Sequence, residues 1–253
     1  MTNLSKATLK SVIRYAIAHR VFTEKTPGFV SHNAASKFLA TDPTAFQFTG
    51  FVLDEMIRPA VYSGEALEKC PDSDDPSKTA FALGEKTSAP TYWAHLAQDP
   101  QRLDRFVKIM AQGQSRDIDF ISKSFPWSDV RTVVELGASQ GELAKMLAER
   151  FSNLEITAQD LPSVIEACSS LDPAPRVKLM AHDFFQEQPI KGADVYIYRH
   201  CFHDWSDRKC LEILKALIPA LKPGARVLAV DAILPEPGTV PVAYERMIRS
   251  VHQ

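Results

Sequence analysis

The 253-residue chain has no apolar run long enough to span a membrane, so no transmembrane helix is expected. It has no surplus of basic residues. Its 29 Lys and Arg stand against 31 Asp and Glu, for a formal net charge of −2. Binding to a phosphate backbone draws on such a surplus, so nucleic acid is not expected as the main partner. The opening residues, MTNLSKATLK, carry no apolar core behind their charges, and no secretory signal is expected there. Cys70, Cys168, Cys201 and Cys210 lack the paired spacing of a metal site and read as reduced thiols in a cytoplasmic protein. The chain has neither an internal repeat nor a low-complexity tract. What remains is a globular composition, 45% hydrophobic and 24% charged, in a length that suits one large or two small domains.

The chain is organised around Thr132 to Ala144, TVVELGASQGELA. Strand-forming residues run into a turn of small residues, and strong helix formers follow. The turn reads Glu135-x-Gly137-x-Ser139-x-Gly141. Gly137 permits a tight turn, Ala138 and Ser139 keep the main chain nearly bare, and Gly141 lets a helix pack close to the strand. The helix then offers its first N–H groups to whatever sits there. A second acid, Asp160, ends the next strand-like run nineteen residues after Gly141, where a carboxylate can hold ribose hydroxyls. The third spacing of the dinucleotide fingerprint, Gly-x-Gly-x-x-Gly, is missing. An acid followed by small residues at every second position fits S-adenosylmethionine (SAM) better, because that cofactor has no phosphates and carries an amine and a sulfonium. An ordinary strand–turn–helix corner would look similar.

Before this stretch the chain reads as mainly helical. Residues 4–20 place Leu9, Val12, Ile13, Ala16 and Ile17 at helical spacing. TPGFVSHN reads as a turn and an extended piece, with Ser31 or Asn33 capping a short helix over AASKFLA. Helix, helix and extended wing make a winged-helix layout, and the low net charge favours packing or dimerisation over DNA binding. Residues 42–62 read as an apolar helical region opened by Asp42-Pro43, and the polar stretch between Cys70 and Pro90 as a surface loop. Residues 99–124 read as helix, with Phe106, Ile109, Met110 and Ile118 on one side, before Phe125-Pro126-Trp127 breaks it.

Beyond that break, apolar strands are expected at 132–136, 154–158, 177–181, 193–198 and 226–233, mostly separated by helices. Such alternation predicts a parallel sheet covered on both faces, with ligands at the carboxyl ends of the strands. Glu135, Asp160, Asp183, Arg199 and Asp231 all fall at those ends. Asp183 with Phe184 could recognise adenine by accepting from its amine and packing on its face; a loop acid beside core aromatics would look the same. The fourth strand runs into YRHCFHDWSD, which holds His200, Cys201, His203 and Asp204. No third metal ligand is obvious beside the two histidines, so no metal is expected and a general base reads better. Asp204 could orient the His203 ring or cap the following helix.

Together these stretches resemble the plant- and fungal-type small-molecule O-methyltransferases, from about Leu9 to Leu234. VVELGASQGELA is similar to that family's cofactor loop, AQDLPSVIEA to its Asp-Leu-Pro ribose segment, AHDFF to its adenine-side element and YRHCFHDWSDRKC to its Leu-His-Asp-Trp element. The resemblance implies a Rossmann-like parallel sheet of the class I methyltransferase type over residues 99–253, preceded by a helical winged-helix dimerisation domain over 1–98. It implies SAM as cofactor, held by Glu135, Gly137, Ser139, Gly141, Asp160, Leu161, Asp183, Phe184 and Arg199, the last in place of a cofactor-contacting lysine. It makes His203 the base, sets Phe106 and Met110 towards a small-molecule acceptor, and implies a homodimer; His200, which with Cys201 departs from the family's usual uncharged or apolar residues, is a further acceptor-side candidate by its place beside His203. Gly137-Ala138-Ser139 stands where the family commonly has consecutive glycines; Ser139 is easily accommodated, but the Ala138 methyl could crowd the cofactor.

The function so implied is O-methylation of a phenolic or enolic small molecule in secondary metabolism. One alternative is a cyclase or pericyclase that keeps SAM for its positive charge, with His200 and Arg199 hydrogen-bonding a carbonyl. The other is a scaffold protein with a decayed site. Twenty residues follow the fifth strand, LPEPGTVPVAYERMIRSVHQ, where similar sheets continue with two more strands. The expectation is a chain shortened at both ends, with an exposed or partner-covered fifth strand and weak or no activity alone.

Overall fold

The predicted alternation of strand and helix is present in the computed structural model, which describes residues 3–71, 73–113, 115–168, 174–231 and 233–249. The chain forms two compact units, residues 1–109 and 110–253.

The first unit opens with α1 (Lys6–Ala18), capped by the Ser5 hydroxyl, which accepts the Thr8 N–H. The extended piece is a hairpin of β1 (Phe22–Thr26) and β2 (Phe29–His32), turned at Gly28 with φ of 86°. Asn33, one of the two expected caps, starts α2 (Ala34–Thr41) in a reciprocal capping arrangement with Ser36. Asp42 caps α3 (Pro43–Phe51), which has Pro43 in its first turn.

The predicted helical region 42–62 is not one continuous α-helix. It widens into a π-helical segment, Val52–Ile57, before α4 (Arg58–Ala60). Pro59 explains the change, since it has no N–H to donate and its ring crowds the carbonyl four residues back. The polar stretch after α5 (Ser63–Lys69) also departs from the expected loop. It contains α6 (Ala80–Glu85), capped by Thr79. Gly84 lets this helix approach α4, because a Cβ there would meet Tyr62 Cδ2 at 3.2 Å and Pro59 Cα at 3.3 Å. The unit continues with α7 (Tyr92–Leu96) and ends within α8 (Pro100–Gly113). Buried Glu55 takes a two-pronged grip from Arg102, at 2.7 and 2.6 Å, and Arg102 also reaches Glu85 at 2.8 Å.

The second unit runs α9 (Ser115–Ser124), β3 (Thr132–Leu136), α10 (Glu142–Arg150), β4 (Glu155–Asp160), α11 (Pro162–Ala167), β5 (Val177–Ala181), β6 (Val195–Arg199), α12 (Asp207–Leu217), β7 (Arg226–Val230) and α13 (Val242–Arg249). The five strands are all parallel, in the order β5-β4-β3-β6-β7. The strand period of two sends neighbours to opposite faces. Val133, Ile156, Ala158, Val195 and Ile197 pack with Leu143 and Leu147 of α10 on one face. Val134, Leu136, Tyr196 and Tyr198 pack with Ile213 and Leu217 of α12 on the other. Each fully buried leucine contributes ~1.5–3 kcal/mol. Asp194 pins the amino end, accepting the N–H groups of Arg131 and Thr132 at 2.9 Å and the Lys222 ammonium at 2.5 Å.

The sixth strand of the chain begins two residues later than expected, and β7 ends at Val230 rather than 233; Ala232, within that expected strand, lies outside the described residues. β7 is an edge of the sheet. Arg226 donates its N–H to Asp194, so by alternation Leu228 and Val230 also face β6 while Val227 and Ala229 face away. In hydrogen exchange, the Val227 and Ala229 amides should therefore exchange much faster than those of Leu228 and Val230. Equal protection along β7 would show that something covers this edge. Among the described residues, no helix is long and apolar enough to cross a membrane.

Candidate active site

The five strand ends of the second unit supply the expected polar groups. The turn after β3 takes left-handed backbone at Gly137 (φ 69°), Ser139 (φ 52°) and Gly141 (φ 71°). A Cβ on Gly137 would lie 2.6 Å from the Cys201 sulfur, so only glycine fits there. Gly141 brings α10 against the sheet, where a Cβ would touch Leu179 at 3.4 Å and Ala158 at 3.6 Å. Ala138 corrects an expectation: its methyl is 1% exposed and belongs to the core with Leu143 and Ala158, so it turns away from any ligand on the loop.

Glu135 is fully enclosed. Its Oε2 accepts the Ala144 N–H at 3.1 Å, and its Oε1 is buried with no hydrogen-bond partner among the described residues. Arg199, also buried, brings Nε to 3.9 Å from that Oε1. Burial pushes the Glu135 carboxyl up to about 7, against the pull of Arg199 and of the Ala144 N–H. An ammonium group at Oε1 would supply what this acid lacks. Arg199 thus has Glu135 as a close neighbour inside the sheet, a setting the sequence does not reveal.

Asp160 holds the loop as well as ending β4. Its Oδ2 accepts the Ser139 N–H and its Oδ1 the Leu161 N–H, each at 2.7 Å. Burial raises its pKa, and those two N–H groups oppose the rise. Leu161 is the residue before α11, with Pro162 in the first turn. Asp183 accepts the Phe185 N–H at 3.0 Å and so shapes the loop after β5. Phe184 lies in an aromatic group with Phe185, Tyr198 and Trp205.

The segment after β6 is where sequence reasoning missed partners. His203 Nδ1 lies 2.5 Å from Asp231 Oδ1, at the end of β7, and its Nε2 is 3.5 Å from Asp204 Oδ1. Asp231, not Asp204, makes the short bond that orients the ring. Nor does Asp204 cap the next helix; the Ser206 hydroxyl does so for α12. His200, with a left-handed φ of 53°, places Nε2 at 2.8 Å from Asp117 Oδ2 and Nδ1 at 3.7 Å from Asp231 Oδ1. Asp231 raises the pKa of both imidazoles, burial opposes, and Asp117 adds to the rise at His200. For Asp231 burial acts upward, but the bonds from His200 and His203 hold its carboxyl well below the usual range. A third potential ligand does therefore stand beside the two histidines, contrary to expectation. The only sequence signal for Asp231 is an acid at a strand end; nothing marks Asp117, 83 residues from its partner.

Of the acceptor-side residues, His200 is in this cluster. Phe106 belongs to the first unit, where its ring packs near Trp93, Tyr92 and Phe51 at 5.1, 5.8 and 5.9 Å. Met110 is the first residue of the second unit.

Residues 75–251 match the O-methyltransferase domain family. The O-methyltransferase gsfB of Penicillium aethiopicum is 36% identical over 254 residues, covering 98% of this chain and 60% of its own length. The chlorophenol O-methyltransferase of Trichoderma longibrachiatum is 32% identical over 263 residues, covering 99% of this chain and 56% of its own. The chain thus spans about 60% of the length of the relatives it matches. Among solved structures, OxaC superimposes with a TM-score of 0.83 at 22% identity, covering 99% of this chain and 66% of that one, a likeness of fold alone.

Proposed function

The chain belongs to the O-methyltransferase domain family, and from that footing we propose that it binds SAM and methylates the hydroxyl of a phenolic or enolic small molecule. The observation that carries the reading is the 2.5 Å bond between His203 and Asp231 at the carboxyl end of the sheet. With Nδ1–H donated to Asp231, the basic lone pair of the neutral ring is on Nε2. Nε2 takes the acceptor proton, and Asp231 stabilises the imidazolium that results. SAM supplies the electrophilic methyl group. The chain's own residues position the partners: the orphaned Glu135 oxygen suits the amine, Asp160 and Leu161 the ribose, Asp183 and Phe184 the adenine. The Gly137–Gly141 turn lets them approach the main chain, and Arg199 balances the Glu135 charge. Phe106, Met110 and His200 are proposed to meet the acceptor.

We assign residues 99–253 to the methyltransferase domain and 1–98 to a winged-helix dimerisation domain in a cytoplasmic homodimer. The exposed apolar side chains Phe29, Phe38, Phe46 and Val61 of the first unit support a covered surface there. Sedimentation that finds only a 28.2 kDa species would remove the dimer.

The test is incubation with methyl-labelled SAM and a panel of phenols, alongside thermal shifts with SAM and its demethylated product. Saturating ligand should raise the midpoint by several degrees, since binding at a hundred times Kd adds about 2.7 kcal/mol. No shift with either ligand would sink the cofactor assignment. A shift without label transfer would favour the cyclase reading, against which the burial of Arg199 beside Glu135 already weighs.

A further inference from the structure

A general base needs one imidazole and one orienting carboxylate. This site has a second of each. His200 and His203 both turn Nδ1 towards the same oxygen, Asp231 Oδ1, at 3.7 and 2.5 Å. Their outer nitrogens are each backed by a carboxylate, His200 Nε2 by Asp117 at 2.8 Å and His203 Nε2 by Asp204 at 3.5 Å. The second oxygen of Asp231 is buried and has no hydrogen-bond partner among the described residues. His200 reaches its place through left-handed backbone, which a non-glycine residue adopts only at a cost.

An imidazole that directs one nitrogen inward and donates the other to a carboxylate is the arrangement found around metal ions, where the outer carboxylate fixes the tautomer and raises ligand basicity. Here His200 has that arrangement through Asp117, and His203 has the Asp204 carboxylate 3.5 Å from its outer nitrogen. The three candidate ligand atoms lie within 4.8 Å of one another. Ligands about 2.0–2.1 Å from a common ion stand roughly 3.0–3.4 Å apart. The observed 3.7 and 2.5 Å straddle that spacing, so small ring rotations about Asp231 suffice. Three carboxylates, Asp117, Asp204 and Asp231, surround two imidazoles, and a divalent charge suits that balance. Two nitrogens and one oxygen select a first-row transition ion over magnesium or calcium.

We propose that His200, His203 and Asp231 form a binding site for a first-row divalent cation such as Zn²⁺ or Co²⁺, and that its occupancy withdraws His203 from service as a base. With the ion on Nδ1, the neutral imidazole carries its hydrogen on Nε2, and no lone pair is left for the acceptor proton. The ion thus competes with the Asp231 hydrogen bond for the same nitrogen. Binding stands on the geometry alone; the loss of turnover rests on the function proposed above.

The experiment titrates the chelator-washed full chain with Co²⁺, followed by visible absorbance and by calorimetry. One ion per chain is expected, without the near-ultraviolet charge-transfer band of a cobalt–thiolate bond. His200→Asn should weaken binding at least tenfold. Asp117→Asn keeps all three ligands and should weaken it roughly tenfold through the outer carboxylate. No saturable binding, a thiolate band, or wild-type affinity in a folded His200→Asn protein overturns the site. If that variant does not fold, wild-type affinity in Asp117→Asn does so. In the second arm, Co²⁺ should abolish label transfer at the concentration that fills the site, and chelator should restore it. Binding with undiminished transfer overturns the competition, whereas a metal-free enzyme that transfers no label counts against the methyltransferase reading and leaves the Co²⁺ result standing.

Discussion

His203→Ala lowers methyl-transfer turnover by roughly a hundredfold or more, the usual contribution of a positioned general base, and leaves SAM affinity unchanged. The expectation rests on division of labour within the second unit. Apart from Arg199 at the end of β6, the groups assigned to the cofactor end β3, β4 and β5, while His203 follows β6 and is oriented from β7. Removing the ring therefore takes away the proton acceptor without touching the nucleoside side. The wild-type pH profile gives an independent reading. The Asp231 bond raises the His203 pKa above 6.5, so turnover should rise with pH through a value above 6.5. The linkage sign agrees. A folded-state pKa above the unfolded one means that the His203–Asp231 pair adds most stability below the unfolded pKa. That contribution is lost as pH rises through the folded value, the same ionisation that frees the base. Label transfer measured at saturating acceptor decides the matter: full turnover by His203→Ala would place the base elsewhere.

Asp160→Ala weakens SAM at least tenfold and also lowers the melting midpoint. From the sequence, Asp160 is expected only to hold ribose hydroxyls. The structure adds a second role, because both oxygens already accept backbone N–H groups, from Ser139 and Leu161. Hydrogen bonds to a charged acceptor contribute about 1.5–3 kcal/mol each. Losing two, with the N–H groups partly resolvated, should cost a few kcal/mol, or roughly 5–10 °C in a chain of this size. Asp160→Asn keeps one acceptor oxygen and should fall between. Calorimetric titration reads the affinity and differential scanning calorimetry the midpoint. Unchanged affinity would remove Asp160 from the nucleoside site; an unchanged midpoint would remove it from holding the turn.

The sheet was legible because its strands are apolar, short and separated by amphipathic helices, so period alone locates β3 and β5 to the residue. The first unit was harder. Its helices are short, and what defines them is tertiary: Pro59 opens a π-helical segment, and Gly84 admits a helix into a stretch that reads as polar loop. The site residues on the turn carry their own local signature, since left-handed backbone demands Gly137 and Gly141. Their partners carry none. Asp231 reaches His203 across 28 residues and Asp117 reaches His200 across 83, and no spacing rule spans such distances. Ala138 was misread for the same reason. A small residue in a turn has two sides, and only the packed structure tells which one the methyl takes.

The order β5-β4-β3-β6-β7 has a consequence for how this site is assembled and how it can be altered. Chain direction across the sheet reverses at β3. The ribosome releases β3, β4 and β5 as one continuous run, each strand beside its predecessor, before β6 crosses back to the other side of β3. The half proposed to hold the nucleoside is thus local in sequence and can form early, while the half proposed to handle protons waits for β6 and β7. The two halves are joined in the sheet by the pairing of β3 with β6, and the Phe184 and Phe185 rings of the loop after β5 also pack against Trp205. Substitutions in the segments after β6 and β7 can therefore exchange one proton-handling arrangement for another while the older-forming half stays as it is.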